Sequence, residues 1–180
     1  LGYPVTTVNA SFLGGSGIED FDVVVMPSVQ GGAFESQLGE AGKARLQQWV
    51  RDGGVLITLQ GATSWLASER SGLSRWRLRP DTGRGPGGEG APLPVNIPGA
   101  IARTVVDPIS PLMAGVLDRE IAVLVSGGTV LQPPRDLRPG ERVLRFAPEN
   151  DVRLAGYFWP EGAGRIAGSA AHRVRLCVGV

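Results

Sequence analysis

The chain has 180 residues, which is enough for one domain with a hydrophobic core of its own. Its 18 basic and 17 acidic side chains leave a formal net charge of +1, so no overall field draws nucleic acid or an anionic membrane toward it. A single cysteine excludes an intrachain disulfide, and no apolar run approaches the roughly 18 residues that a membrane helix needs.

Strand-like and helix-like segments alternate in the first half of the chain. The β-branched residues 5–8 are a strand candidate, and residues 22–26 are apolar on both faces, as expected of a strand buried inside a parallel sheet. A helix is predicted over residues 36–51, because apolar side chains recur there at three- and four-residue steps. This stripe consists of Leu38, Gly42, Leu46, Trp49 and Val50.

Gly53 stands where a left-handed C-cap would end this helix. Residues 55–59 form the next apolar strand, and residues 62–68 are predicted to form a short helix. Strands and helices that alternate at such short spacings are typical of a parallel sheet with helices on its faces. The sequence therefore predicts an α/β fold: a flavodoxin-like or Rossmann-like three-layer sandwich with a mostly parallel sheet and a β-rich second half.

The second half begins with a segment rich in glycine, proline and arginine. Residues 81–90 cannot bury enough apolar surface to offset the entropy lost on ordering, so residues 70–98 are predicted to be a mobile insertion. We expect this insertion to interrupt a single domain that spans residues 1–180. Short strand candidates follow it, namely residues 101–106, 121–125, 143–146, 152–158 and 174–178.

Two turns are the candidate binding regions, because ligands of parallel α/β sheets bind beyond the carboxyl ends of the strands. Each turn offers small residues and free backbone N–H groups before a helix, an arrangement that suits an anion or a carbonyl oxygen. The alternative is that the glycines only allow tight strand-to-helix connections. The candidate ligand-binding residues are Ser28, Gln30, Gly31, Gln60, Gly61, Thr63 and Ser64.

The turn after residues 55–59 is also where some hydrolases place a nucleophilic serine or cysteine. Here the apex of the turn is Gln60 or Gly61, and neither residue can attack a carbonyl group. Thr63 and Ser64 lie in the first helical turn with no neighbouring base, so capping or solvation of that turn explains them better. No catalytic residue is predicted.

Other catalytic and binding classes are disfavoured by spacing. His172 and Cys177 are five residues apart on a strand-like run, which puts them on opposite faces and about 16 Å from each other. One histidine and one cysteine cannot build a zinc cluster, and the carboxylates at residues 19–22 lack the rest of a calcium loop, so no metal or cofactor is expected. An arginine cluster is largely offset by nearby acids and is predicted to be solvated, not bound to nucleic acid. It comprises Arg70, Arg75, Arg77, Arg79 and Arg84, with Trp76 among them.

Several motifs resemble a class I glutamine amidotransferase-like domain. They are the apolar segment at residues 21–27, the helix that ends in Trp49-Val50, the Gly53-Gly54 turn and the Gly61-Ala62 pair. Residues 106–115 and 154–170 are similar to the form of this domain found C-terminal to bacterial zinc carboxypeptidases. The cysteine of active amidotransferases would fall at Gln60 or Gly61, and no later His-x-Glu pair exists.

The resemblance implies a non-catalytic accessory domain whose partner is a catalytic peptidase-like domain of the same polypeptide. It would support that partner domain or recognise ligand, in a protein that is secreted or periplasmic if the resemblance holds and cytoplasmic otherwise. The sequence begins without methionine and stops inside a strand-like run, so we expect a piece of a longer chain. The alternatives are a small-molecule or carbohydrate-binding module, a homo-oligomerisation module, and a hydrolase that uses Ser64 or Thr63.

Overall fold

The computed structural model describes residues 2–15, 17–28, 33–79, 82–85, 88–92, 97–127, 129–169 and 174–178. The chain divides into two compact units, Leu1–Ser74 with Arg173–Val180, and Arg75–His172. The helices are α1 (Ala33–Arg51), α2 (Gly61–Leu66) and α3 (Pro160–Ile166). The strands are β1 (Val23–Met26), β2 (Val55–Leu59), β3 (Arg77–Leu78), β4 (Thr82–Gly85), β5 (Gly88–Pro92), β6 (Ile97–Val106), β7 (Glu120–Gly127), β8 (Leu131–Gln132), β9 (Leu144–Phe146), β10 (Arg153–Tyr157) and β11 (Val174–Val178).

A three-stranded sheet with the order β1-β2-β11 organises the first unit. β1 and β2 are parallel, and β11 is antiparallel to β2. The inner face of this sheet carries Met26, Leu56 and Thr58, each at most 2% exposed. Met26 and Leu56 belong to the hydrophobic core of the unit together with residues of α1 and α2, and Thr58 is a buried polar residue on the same face.

Helix α1 buries the predicted apolar stripe, and all five of its members are buried. The helix ends as predicted, because Gly53 has a φ of +110° and its N–H donates to the carbonyl of Val50. The N–H of Gly54 donates to the carbonyl of Trp49, which completes a Schellman motif. Within the helix, Gly39 is non-helical (φ 61°, ψ 177°) and divides α1 into a short first segment and a longer second one.

Trp49 joins the end of α1 to the segment that leads into β1. Its side chain is 6% exposed, as the apolar stripe predicts, and its Nε1–H donates to the carbonyl of Phe21 at 3.0 Å. A Cβ atom added to Gly54 would overlap the indole ring, so the turn after α1 needs glycine for close approach.

The second unit is built around β6, the longest strand that the structure describes. β7 pairs with one edge of β6, while β10 and β9 share the other edge, and all three pairings are antiparallel. Burial alternates along β6, with Ala100, Ala102 and Thr104 facing inward. α3 contributes Ile166 to the core beneath this face. Two further antiparallel pairs, β3 with β8 and β4 with β5, complete the described strands.

The predicted flavodoxin-like three-layer sandwich with a mostly parallel sheet is wrong. Among the strands that the structure describes, only β1 and β2 are parallel, and the other six pairings are antiparallel. The connection from β6 to β7 contains only the 3-10 turn Pro111–Met113 and no α-helix of the kind that usually carries a parallel crossover, and the two strands pair antiparallel. The β-rich second half is therefore a set of antiparallel strands with its own core.

Two further predictions concern residues 5–8 and residues 70–98. Residues 5–8, predicted to be a strand, have no strand partner among the described residues, and Val5 is 86% exposed. At the start of the predicted insertion, Arg75 forms ion pairs with Asp136 (2.6 Å) and Glu141 (3.0 Å), and Trp76 is buried. The mobility of residues 70–98 stays a prediction. No helix in the described part of the chain has the length and apolar character of a membrane span.

Candidate functional site

The two candidate turns meet at one edge of the first unit's sheet. The parallel register of β1 and β2 pairs Met26 with Thr58, so both strands end at the same level. A direct contact joins the turns, because the N–H of Gly61 donates to Ser28 Oγ at 3.3 Å. The predicted site residues Gln30 and Gly31 lie outside the described residues.

Gln60 occupies the apex of the turn between β2 and α2. Its φ of 47° and ψ of −110° make it the one non-glycine residue with positive φ in the described part of the chain. Such a conformation costs on the order of 1–3 kcal/mol and persists only where the surroundings enforce it. The sequence left the apex open between Gln60 and Gly61, and the backbone places it at Gln60.

The hydrogen bonds of this turn do not match those of a nucleophile elbow. In an elbow, the N–H after the nucleophile helps to stabilise a negatively charged oxygen. Here that N–H belongs to Gly61 and donates to Ser28 Oγ. The carbonyl of Gln60 accepts from the N–H groups of Thr63 (3.0 Å) and Ser64 (3.2 Å), which begins the helix. The side chain of Gln60 is exposed and free of this backbone network.

The hydroxyl groups of α2 differ in their surroundings. Thr63 is 1% exposed, and its Oγ1 donates to the carbonyl of Thr58 at 2.9 Å and lies 3.1 Å from Thr58 Oγ1. This arrangement ties α2 to β2 and gives Thr63 a structural role. Ser64 is half-buried and also has an interaction partner.

Trp65 is the residue of this region that sequence reasoning missed. Its side chain is 8% exposed and packs near Phe34 at the start of α1, with ring centroids 6.0 Å apart. Its Nε1–H is buried and has no hydrogen-bond partner among the described residues. A buried donor left in this state costs about 1–3 kcal/mol, which an acceptor atom on a ligand would relieve. An indole inside an apolar helix pattern gives no sequence signal of this kind.

Metal-ligating groups do not gather in the part of the chain that the structure describes. No group of three or more histidine, cysteine, aspartate or glutamate side chains among these residues is arranged so that it could hold a metal ion. His172 lies outside the described residues, and the backbone of Cys177 pairs opposite Leu56 in β11.

Comparisons with protein-family models, curated proteins and solved structures find no match to this chain.

Proposed function

We propose that this chain is a non-catalytic accessory domain of a zinc carboxypeptidase-like hydrolase, and that it recognises ligand at the turn around Gln60. The observation that carries the proposal is the strained backbone of Gln60, which holds an exposed carboxamide at the apex where related turns hold a nucleophile. A carboxamide has two donor hydrogens and an acceptor oxygen, so it suits a peptide or another polar ligand and cannot form an acyl intermediate.

Neighbouring groups support recognition over acyl transfer. Ser28 Oγ accepts a hydrogen bond from Gly61, and a ligand acceptor could replace it as the partner of this N–H. Among the described residues, Thr63 carries the only buried hydroxyl group of α2, and this hydroxyl donates a hydrogen bond to the carbonyl of Thr58. The turn therefore offers donors and acceptors without an activated nucleophile.

Substitution of Gln60 by glycine tests the recognition role, because relief of backbone strain should raise stability while loss of the carboxamide should weaken ligand binding. Gln60→Gly should raise the free energy of unfolding by about 1 kcal/mol, since glycine relieves the positive φ but has more freedom in the unfolded chain. The same variant should lose binding to a peptide ligand by ten-fold or more, because the carboxamide is gone. Gln60→Asn, which tolerates positive φ and keeps the amide, should bind at an intermediate level.

The binding assay uses a panel of short peptides with free carboxyl termini, and oligosaccharides as the second class. Binding is followed by titration calorimetry and by the NMR amide signal of Gly61, with Gln132→Ala in the second unit as the control variant. A hit limited to oligosaccharides would support the carbohydrate-binding alternative. If Gln60→Gly binds every hit as tightly as the parent chain, Gln60 is not a recognition residue.

The parent assignment has a separate test in the full-length gene product. We expect this protein to contain zinc and to release C-terminal amino acids, with a rate that persists in a Thr63→Ala/Ser64→Ala variant. Gln60→Gly should raise KM for long peptides and leave the zinc content unchanged. A product without zinc or carboxypeptidase turnover would refute the parent assignment. Turnover lost in a double variant that keeps the parent circular dichroism spectrum would favour the hydrolase alternative.

A further inference from the structure

Two exposed aromatic side chains lie side by side at the end of β10 in the second unit. Side chains alternate along extended backbone, so Tyr157 and Trp159 point to one side, while Phe158 between them points to the other side and is buried. Tyr157 is 53% exposed and Trp159 is 41% exposed. Their rings meet edge to face, with centroids 5.0 Å apart and planes at 82°. The two rings therefore form a corner, which we call the aromatic corner.

The neighbouring strand leaves the space beside Tyr157 open. Tyr157 lies opposite Gly99 of β6, and residues paired in this way direct their side chains to the same face of a sheet. Apart from its chain neighbours, a Cβ atom added to Gly99 would meet nothing within 4 Å, so neither aromatic ring folds over the glycine. The ring of a ligand can therefore lie over Gly99 and against Tyr157.

The strands around the aromatic corner carry their charges elsewhere. Their charged side chains are those of Arg103, Glu120 and Arg153, and Arg103 forms an ion pair with Glu120 at 2.8 Å. Arg103 lies four positions after Gly99 and Arg153 lies four positions before Tyr157, which places each arginine about 13 Å along its strand from the corner. Within β6, β7 and β10, no charged group is placed to pair with a charged ligand at the corner, so a neutral ligand fits it best.

The geometry of the corner argues against a peptide as this ligand. The backbones of β10 and β6 pair with each other beneath the corner, so an extended peptide that lies over this face finds no strand edge to bind. A proline-rich peptide presents two prolines on one side about 9 Å apart, because a polyproline helix rises about 3.1 Å per residue with three residues per turn. Aromatic rings with centroids 5.0 Å apart cannot seat both prolines.

A pyranose ring has the properties that the corner requires. It is neutral, and its axial C–H bonds give it a face of partial positive charge that is attracted to the negative face of an aromatic ring. Its equatorial hydroxyl groups stay hydrated at the rim, where one of them can exchange a hydrogen bond with the phenol of Tyr157. A second sugar unit would cover Ile101 and the exposed Leu124, which are paired about 7 Å further along β6.

We propose that the aromatic corner, together with the open space over Gly99, binds a neutral oligosaccharide whose hydroxyl groups are equatorial. One hexose ring stacks on Tyr157, and Trp159 closes the site on one side. The site lies in the second unit and uses no residue of the Gln60 turn, so the proposal does not depend on ligand recognition there.

The probe is cellopentaose, a β-linked glucose oligomer in which the ring hydroxyl groups are equatorial. The matched ligand is pentagalacturonate, which is charged and linked through axial bonds. Binding to the 180-residue chain is followed by titration calorimetry and by the NMR amide signals of Gly99 and Tyr157. We expect a dissociation constant of roughly 0.1–1 mM for cellopentaose, the range that a small open surface supports, and at least five-fold weaker binding of pentagalacturonate.

Single substitutions locate the site. Tyr157→Ala and Trp159→Ala should each weaken cellopentaose binding ten-fold or more, while Tyr157→Phe keeps the ring and should stay within three-fold of the parent chain. Tyr3→Ala is the control, because it removes a 79% exposed aromatic ring from the first unit and should leave binding unchanged. Gln60→Gly should also bind cellopentaose as the parent chain does, which separates this site from the Gln60 turn.

The outcomes that would overturn the proposal are distinct. Circular dichroism identifies the variants that keep the parent fold, and a folded Tyr157→Ala variant that binds cellopentaose as tightly as the parent chain would refute the site. Cellopentaose that leaves the Gly99 signal unmoved would refute it as well. A decaproline peptide that shifts this signal when cellopentaose does not would replace the sugar by a proline-rich partner. Loss of cellopentaose binding in Gln60→Gly but not in Tyr157→Ala would assign the sugar to the first unit.

Discussion

Trp49 and Gly54 should be energetically coupled, because the indole ring packs where a side chain on Gly54 would lie. Trp49→Ala empties a site that is 6% exposed, which should lower the free energy of unfolding by about 3–5 kcal/mol. Trp49→Phe keeps a ring but loses the hydrogen bond to Phe21, so a loss of about 1–2 kcal/mol is expected. Gly54→Ala should cost about 1–3 kcal/mol in the parent chain, because the new methyl group overlaps the ring.

The double variant Trp49→Ala/Gly54→Ala tests the packing itself. Gly54 does not have positive φ, so without the indole ring alanine there should be neutral or stabilising by about 0.4–1 kcal/mol. Gly53→Ala is the control, because its φ of +110° makes alanine unfavourable with or without Trp49. Urea denaturation of the set gives the coupling energy. If the stability losses of Trp49→Ala and Gly54→Ala sum to the loss of the double variant within about 0.5 kcal/mol, the contact between the two residues is refuted.

Two further predictions concern hydrogen bonds of the first unit. Thr63→Val should lower the free energy of unfolding by about 1–2 kcal/mol in urea denaturation, because it removes a buried donor to the Thr58 carbonyl, while Thr6→Val at an exposed position should change it by less than about 0.5 kcal/mol. Hydrogen bonds from backbone N–H groups, its own first and then that of Gly17 at 3.0 Å from Oε2, hold the pKa of Glu19 below its ordinary value. This implies a stabilisation that is present above the ordinary carboxyl pKa and is lost as the pH falls through the folded-state value. Thermal melts of parent chain and Glu19→Gln should therefore differ most near pH 7 and converge toward pH 3, and a constant difference would contradict this.

Short-range patterns in the sequence predicted several elements of the first unit, although the strand expected at residues 5–8 is absent. The apolar stripe of α1, its Gly53 cap and the strand at residues 55–59 all occur in the structure as expected, because each depends on neighbours within a few residues. Strand direction is not determined by neighbours within a few residues. β11 pairs antiparallel to β2, with Leu176 opposite Ile57, and an uninterrupted aliphatic run has the same appearance whichever direction its partner takes.

That the two candidate turns bind a ligand stays a prediction. The structure places them in contact, because the N–H of Gly61 donates to Ser28 Oγ. Which residue occupies the apex depends on a backbone angle that side-chain chemistry disfavours at glutamine, so no propensity could select Gln60 over Gly61. The buried N–H of Trp65 depends on contacts between separate elements, which a local pattern does not encode.

The interruption of α1 at Gly39 predicts that the two segments of the helix unfold separately. The backbone leaves helical geometry at Gly39, so we expect the segment that carries Phe34 to open without disturbing the Schellman turn at Gly53. Amide protons on the two sides of Gly39 should therefore exchange with solvent at unrelated rates. A structural change at the Gln60 turn, which lies next to the Phe34–Trp65 contact, should alter the exchange rates of the amide protons before Gly39. The exchange rates of the amide protons after Gly39 should stay constant and serve as an internal reference.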